Sequence, residues 1–253
     1  MSYVSSALYH FNGFGKLNDH KKNYEVLKEI LRQGCISSPP HIPGYGEIKF
    51  TYFRDRSLLD ELKGKGMIEP SIVCFADIPA EHLGIHCQKY GYCGIALKRN
   101  FLTKNGARPV SYIPVDEVWS IDNWGHAYLN SLEAAYKTIV LWQDEHHGGS
   151  GPKRSVVEHE PKNIEDKLVL LKHSLGQELC FIKPFKSMLP EDHIDNFYME
   201  REWRMRMNAY FAMDTDAVEK ICVPGVYIEE LKCEFPIYAD RIQDTFKMIE
   251  SNM

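Results

Sequence analysis

Apolar residues fall along the chain in short blocks parted by polar turns, and the spacing inside each block predicts its element. Over 23–33, Tyr24, Leu27, Ile30 and Leu31 recur three and four residues apart, the beat of one helical face, and Gly34 supplies the stop. Shorter apolar runs predict strands at 3–11, 48–53, 71–75, 94–97, 110–113, 179–186 and 221–226. Helices are expected over 57–63, from Pro79 through Tyr90, and over 129–142, 214–219 and 236–249. Residues 37–46 read as a loop. Residues 144–160 read as a mobile one, carrying His146, His147 and the Lys153-Arg154 pair around a Gly/Ser/Pro run. Strands and helices are interspersed without a regular β-α-β beat, which places the chain in the α+β class. We expect one domain over 1–253, with a mainly helical and loop insertion at about 115–178.

One further segment carries the candidate chemistry. Residues 196–207 contain Glu200-Arg201-Glu202-Trp203-Arg204-Met205-Arg206-Met207. Side chains of a strand alternate between faces. Strict alternation puts Glu200, Glu202, Arg204 and Arg206 on one face, and Arg201, Trp203, Met205 and Met207 on an apolar one. The charged face can be a solvated surface with cross-paired charges. It can also be a cleft wall that offers a carboxylate to a cationic ligand and an Arg to a phosphate. Glycosidic cleavage of NAD passes through an oxocarbenium-like state, which a nearby carboxylate stabilises.

Composition narrows the setting. The 253 residues, 44% of them hydrophobic and 26% charged, can bury a core without staples. A net charge of −5 gives no global basic field for nucleic acid, although Lys98, Arg99, Lys104 and Arg108 form a modest local cluster. Seven cysteines without a C-x-x-C pair read as reduced, mostly buried thiols. The N-terminus lacks a signal-peptide pattern, and no run approaches the roughly 18 apolar residues that span a bilayer. A cytoplasmic protein without membrane contact is therefore expected. His82 and His86 stand i, i+4 with no third ligand at metal spacing, so no metal is expected.

Several blocks carry a resemblance. Ala7-Leu8-Tyr9-His10-Phe11 with the helix ending at Gly34, Val73-Cys74-Phe75-Ala76-Asp77-Ile78-Pro79, Tyr90-Gly91-Tyr92-Cys93-Gly94-Ile95-Ala96, Arg108-Pro109-Val110-Ser111-Tyr112 and Glu200-Arg201-Glu202-Trp203-Arg204 resemble blocks of AbiGi-type abortive phage resistance proteins, in the same order. The opening is also similar to that of DarT-type DNA ADP-ribosyltransferases. The resemblance implies an anti-phage abortive-infection role and an ADP-ribosyltransferase-like mixed or antiparallel β core flanked by helices, with NAD as substrate.

On that reading the chain is a mono-ADP-ribosyltransferase toxin, and its acceptor, which the sequence does not reveal, is protein, DNA, RNA or water. The alternative is an inactive antitoxin or phage-sensing binding protein of a toxin–antitoxin pair. A nuclease using the same charged strand is a third reading. The resemblance assigns catalysis to Glu202 with Glu200 as its partner, and NAD binding to His10 and the adjacent Tyr9. It gives the pyrophosphate to Arg54 and stacking on nicotinamide to Tyr90 and Phe75.

Overall fold

The computed structural model describes residues 5–13, 19–37, 50–115, 124–147 and 164–250. Its strands, in chain order, are β1 (Ala7–Phe11), β2 (Cys35–Ile36), β3 (Phe50–Tyr52), β4 (Ile68–Pro70), β5 (Val73–Ala76), β6 (Gly94–Lys98), β7 (Arg108–Pro109), β8 (Ser111–Pro114), β9 (Ile182–Phe185), β10 (Glu202–Met205), β11 (Ala209–Tyr210), β12 (Val218–Val223) and β13 (Ile242–Asp244). Its helices are α1 (His20–Gln33), α2 (Leu83–Tyr90), α3 (Arg99–Lys104), α4 (Trp124–His147), α5 (Ile164–Leu179), α6 (Ile228–Glu234) and α7 (Thr245–Glu250). Two compact units share them: Met1–Lys49, Ser71–Val110 and Leu189–Met253 form the first, and Phe50–Pro70 with Ser111–Met188 the second.

The first unit is built on a seven-stranded sheet in the order β13-β12-β6-β1-β5-β10-β7. All its pairings are antiparallel except β12 with β13. This is the mixed α+β arrangement that the irregular order of elements implied. Alternation along the strands sends side chains into two cores. Leu8, Val73, Phe75, Ile95, Leu97, Met205 and Ile221 join α1's Tyr24, Leu27, Ile30 and Leu31 on one face. Ala7, Tyr9, Phe11, Ala76, Ala96 and Cys222 join α2's Leu83 and Cys87 on the other. Helices thus cover both faces, because β1, β5, β6 and β12 have apolar side chains to hide on either side.

The apolar stripe and the glycine stop of α1 are where the periodicity placed them. Asp19 Oδ1 accepts from Lys22 N at 2.9 Å, which caps the helix and moves its start ahead of residue 23. At the other end Gly34 adopts the left-handed conformation, φ 59° and ψ 34°, and its carbonyl accepts from Phe211 N at 2.7 Å and Ala212 N at 3.0 Å. A Cβ at Gly34 would come within 2.6 Å of Ala212 Cα. Gly34→Ala therefore meets both a φ penalty and a backbone collision. It should cost about 2–4 kcal/mol, read as a lower midpoint in thermal unfolding.

The second unit holds two small sheets, antiparallel β3–β4 and parallel β8–β9. Its core gathers Leu58, Met67, Ile68, Leu129, Tyr136, Val140, Leu179 and Phe181, with Tyr52 packed edge-on against Tyr136 at 5.3 Å between ring centres.

Several expectations change, and the helix expected over 214–219 gives way at Val218 to β12. Residues 144–147 continue α4 and are not loop, because the helical face of α4 runs through Gln143, which is buried; the rest of that expected loop, Lys153-Arg154 included, lies outside the described residues. The expected helix over 236–249 is split by β13, where Ile242 pairs with Ile221 of β12 and buries against the same core. Lys98–Arg108, read as a basic cluster, contains α3, whose Leu102 is fully buried. Five cysteines are buried, as expected of reduced thiols, while Cys74 and Cys233 are exposed. Burial pushes the Cys93 and Cys222 thiols up to about 12. Among the described residues no helix is long and apolar enough to cross a membrane.

Candidate functional site

The Glu-x-Glu segment does not run as one strand. Phe197–Glu200 forms a 3-10 turn, and Arg201 follows in the left-handed region at φ 43°, the only non-glycine residue with positive φ among those described. A reversal at that point breaks the period of two, so Glu200 leaves the face that alternation gave it and only Glu202–Met205 pairs as β10. Arg206 lies beyond the strand as well. The one expected face thus reduces to Glu202 and Arg204, with Trp203 and Met205 turned to the apolar core as anticipated.

Those two charges lie together in the interior. Arg204 Nε donates to Glu202 Oε1 at 2.7 Å, and the two side chains are 6% and 7% exposed. A desolvated pair of this kind persists only when each charge compensates the other. The register fixes what surrounds it. Glu202 stands opposite Ala76, and Ala76 opposite Tyr9, so all three share one face. Trp203 stands opposite Phe75 on the other face.

His10 follows Phe75, not Glu202. Its ring lies 5.9 Å from that of Phe75, and its Nδ1–H donates to the Cys74 carbonyl at 2.8 Å. The sheet therefore separates His10 from Glu202. Tyr9 is on the Glu202 face but buried under α2, stacked with Phe11 at 6.1 Å, and burial holds its hydroxyl well above the ordinary tyrosine range. Phe75 is only 2% exposed and packs in the core. Arg54 belongs to the second unit, where it pairs with Asp144.

Glu200 meets a different expected residue. Its Oε1 accepts from Tyr90 OH at 2.9 Å and from Lys89 Nζ at 2.6 Å, both on the last turn of α2. The Lys89 ammonium also sits 4.0 Å from the Phe197 ring centre and 5.3 Å from that of Tyr90. Lys89 and Glu200 of this cluster line a cleft of about 480 Å³ that lies wholly in the first unit, with residues of α2 and of the 191–201 segment in its walls. Such a cleft is the size of a small-ligand or side-chain pocket.

Sequence reading missed the hub beside it. Asp77, 3% exposed, accepts from Ser5 Oγ at 2.7 Å and pairs with Arg99 Nη2 at 2.7 Å and Arg201 Nη2 at 3.4 Å. It holds the start of α3 and the strained Arg201 to the end of β5. The available signal was an acid lodged between an apolar strand and Pro79. Arg99 also lies over the Trp203 ring at 4.9 Å, which gives one of the basic-cluster residues a structural task. Among the described residues no cluster of three His, Cys, Asp or Glu side chains could hold a metal ion.

No curated protein and no solved structure matches this chain. A family model described as "Putative abortive phage resistance protein AbiGi, antitoxin" matches residues 48–230, most of the chain and both of the strands that carry the Glu202 pairings. The chain belongs to the AbiGi family of abortive phage resistance proteins.

Proposed function

We propose that this chain acts in abortive infection as the antitoxin of a toxin–antitoxin pair, a binding protein and not an ADP-ribosyltransferase. The observation that carries this reading is the buried Glu202–Arg204 pair at 2.7 Å. A transferase needs a carboxylate whose negative charge faces the ribose as the C–N bond of NAD breaks. A guanidinium at hydrogen-bond distance cancels that charge at the place where a sugar cation would need it. His10, the residue expected to hold NAD, is on the opposite face of the sheet, and one dinucleotide cannot lie against both faces. The antitoxin description of the family supports the same reading and implies a toxin as the partner.

The test pairs two measurements on the intact chain. Incubated with labelled NAD and cell lysate, it should release no nicotinamide above the buffer blank and transfer no label to protein or nucleic acid. Expressed alone it should leave growth unchanged, and co-expressed with a toxic gene product encoded beside it, it should restore growth. Nicotinamide release that disappears in Glu202→Gln would overturn the proposal and return the chain to the transferase reading.

A further inference from the structure

The cleft beside Glu200 has a second property. Its walls include Ile85 of α2, Ile194 and Met199, which remain 39%, 47% and 41% exposed. Grouped aliphatic surface of this kind is left in water at a cost, and its burial by a partner releases that cost. The rim adds Glu81, Glu191 and Asp192, all exposed. Two basic side chains reach the cleft, and both have acids already: Lys89 has Glu200 at 2.6 Å and Arg201 has Asp77 at 3.4 Å. With histidines neutral, the four lining acids outnumber the two bases, in a chain of net charge −5. Aliphatic walls beside a surplus of acids select a complementary surface: aliphatic side chains flanked by cations.

We propose that this cleft is where the toxin docks, through a segment that presents aliphatic side chains framed by Lys or Arg. The inference rests on the antitoxin reading for who the partner is, and on the cleft alone for the partner's chemistry. The Lys89 cluster sets the site's shape: it ties Glu200 and Phe197, at the end of the segment that lines the cleft, to the last turn of α2.

The experiment uses the full chain and a labelled helical peptide of roughly 18 residues, with Leu at i, i+3, i+4 and i+7 and Lys on the flanks, beside a counterpart with Glu for Lys. Fluorescence anisotropy should give saturable binding of the Lys peptide and at least about ten-fold weaker binding of the Glu peptide. Ile85→Glu should abolish binding. The triple change Glu81→Lys, Glu191→Lys and Asp192→Lys should weaken the Lys peptide by about ten-fold or more and favour the Glu peptide. All four positions are exposed, and an unchanged thermal midpoint checks that the variants fold. Equal binding of the two peptides, or binding undiminished by Ile85→Glu, overturns the site. Failure here with growth rescue intact removes the cleft and keeps the antitoxin; peptide binding without rescue keeps the cleft's chemistry and removes the antitoxin.

Discussion

Arg204→Met should lower the stability of the chain by about 3–5 kcal/mol, because it withdraws the cation that compensates a buried carboxylate. For a chain of this length that corresponds to a fall of roughly 6–20 °C in the thermal midpoint, measured by circular dichroism. The magnitude follows from burial: the Arg204 and Glu202 side chains are 6% and 7% exposed. An exposed pair such as Lys232–Glu229, at 3.3 Å, should pass unnoticed in the same measurement. The double variant Glu202→Leu with Arg204→Met should regain most of the loss, since two apolar groups of similar size need no mutual compensation. Growth rescue by that double variant would mark the pair as scaffold. A stable double variant that no longer rescues would show that the charges themselves do the work.

Phe75→Ala is expected to have a comparable effect for a different reason. The ring is 2% exposed and fills the space between Trp203 and His10 in the larger core. Truncation removes its contacts and leaves a cavity, at a cost of about 3–5 kcal/mol. A ring reserved for stacking on a ligand would give the opposite pattern, with stability unchanged and ligand affinity lost. Urea titration of the variant separates the two, because the cavity lowers the midpoint whether or not any ligand is present.

These two residues also show what the sequence made legible. The face of Trp203 and Met205 could be read from alternation alone, as could the stripe of α1 and its stop at Gly34. Phe75 stands in the apolar run Ile72 to Phe75, which already pointed to the core, and its assignment to ligand stacking came from the resemblance alone. Glu200 was misplaced because nothing in Glu-Arg-Glu announces a left-handed turn at Arg201; the turn is held by Asp77, 124 residues away in the chain. The β13 strand was hidden for a related reason. Tyr238, Ile242, Phe246 and Ile249 fall at helical spacing with no Gly or inner Pro to interrupt them, and only the parallel partner β12 makes residues 242–244 extended. His10 and Glu202 were legible as residues but not as a pair, because which of them faces which side depends on the registers of β1, β5 and β10 together.

The two ends of the large sheet have a consequence for how this protein meets others. One end is β7, two residues long and half of it Pro109, which has no N–H to give; the other is β13, three residues long. Edges this short offer almost no ladder for an incoming strand. Among the described residues the large sheet is thereby guarded against stacking edge to edge into fibrils, and recognition at its ends is left to side chains, where a single changed residue can alter which partner is accepted.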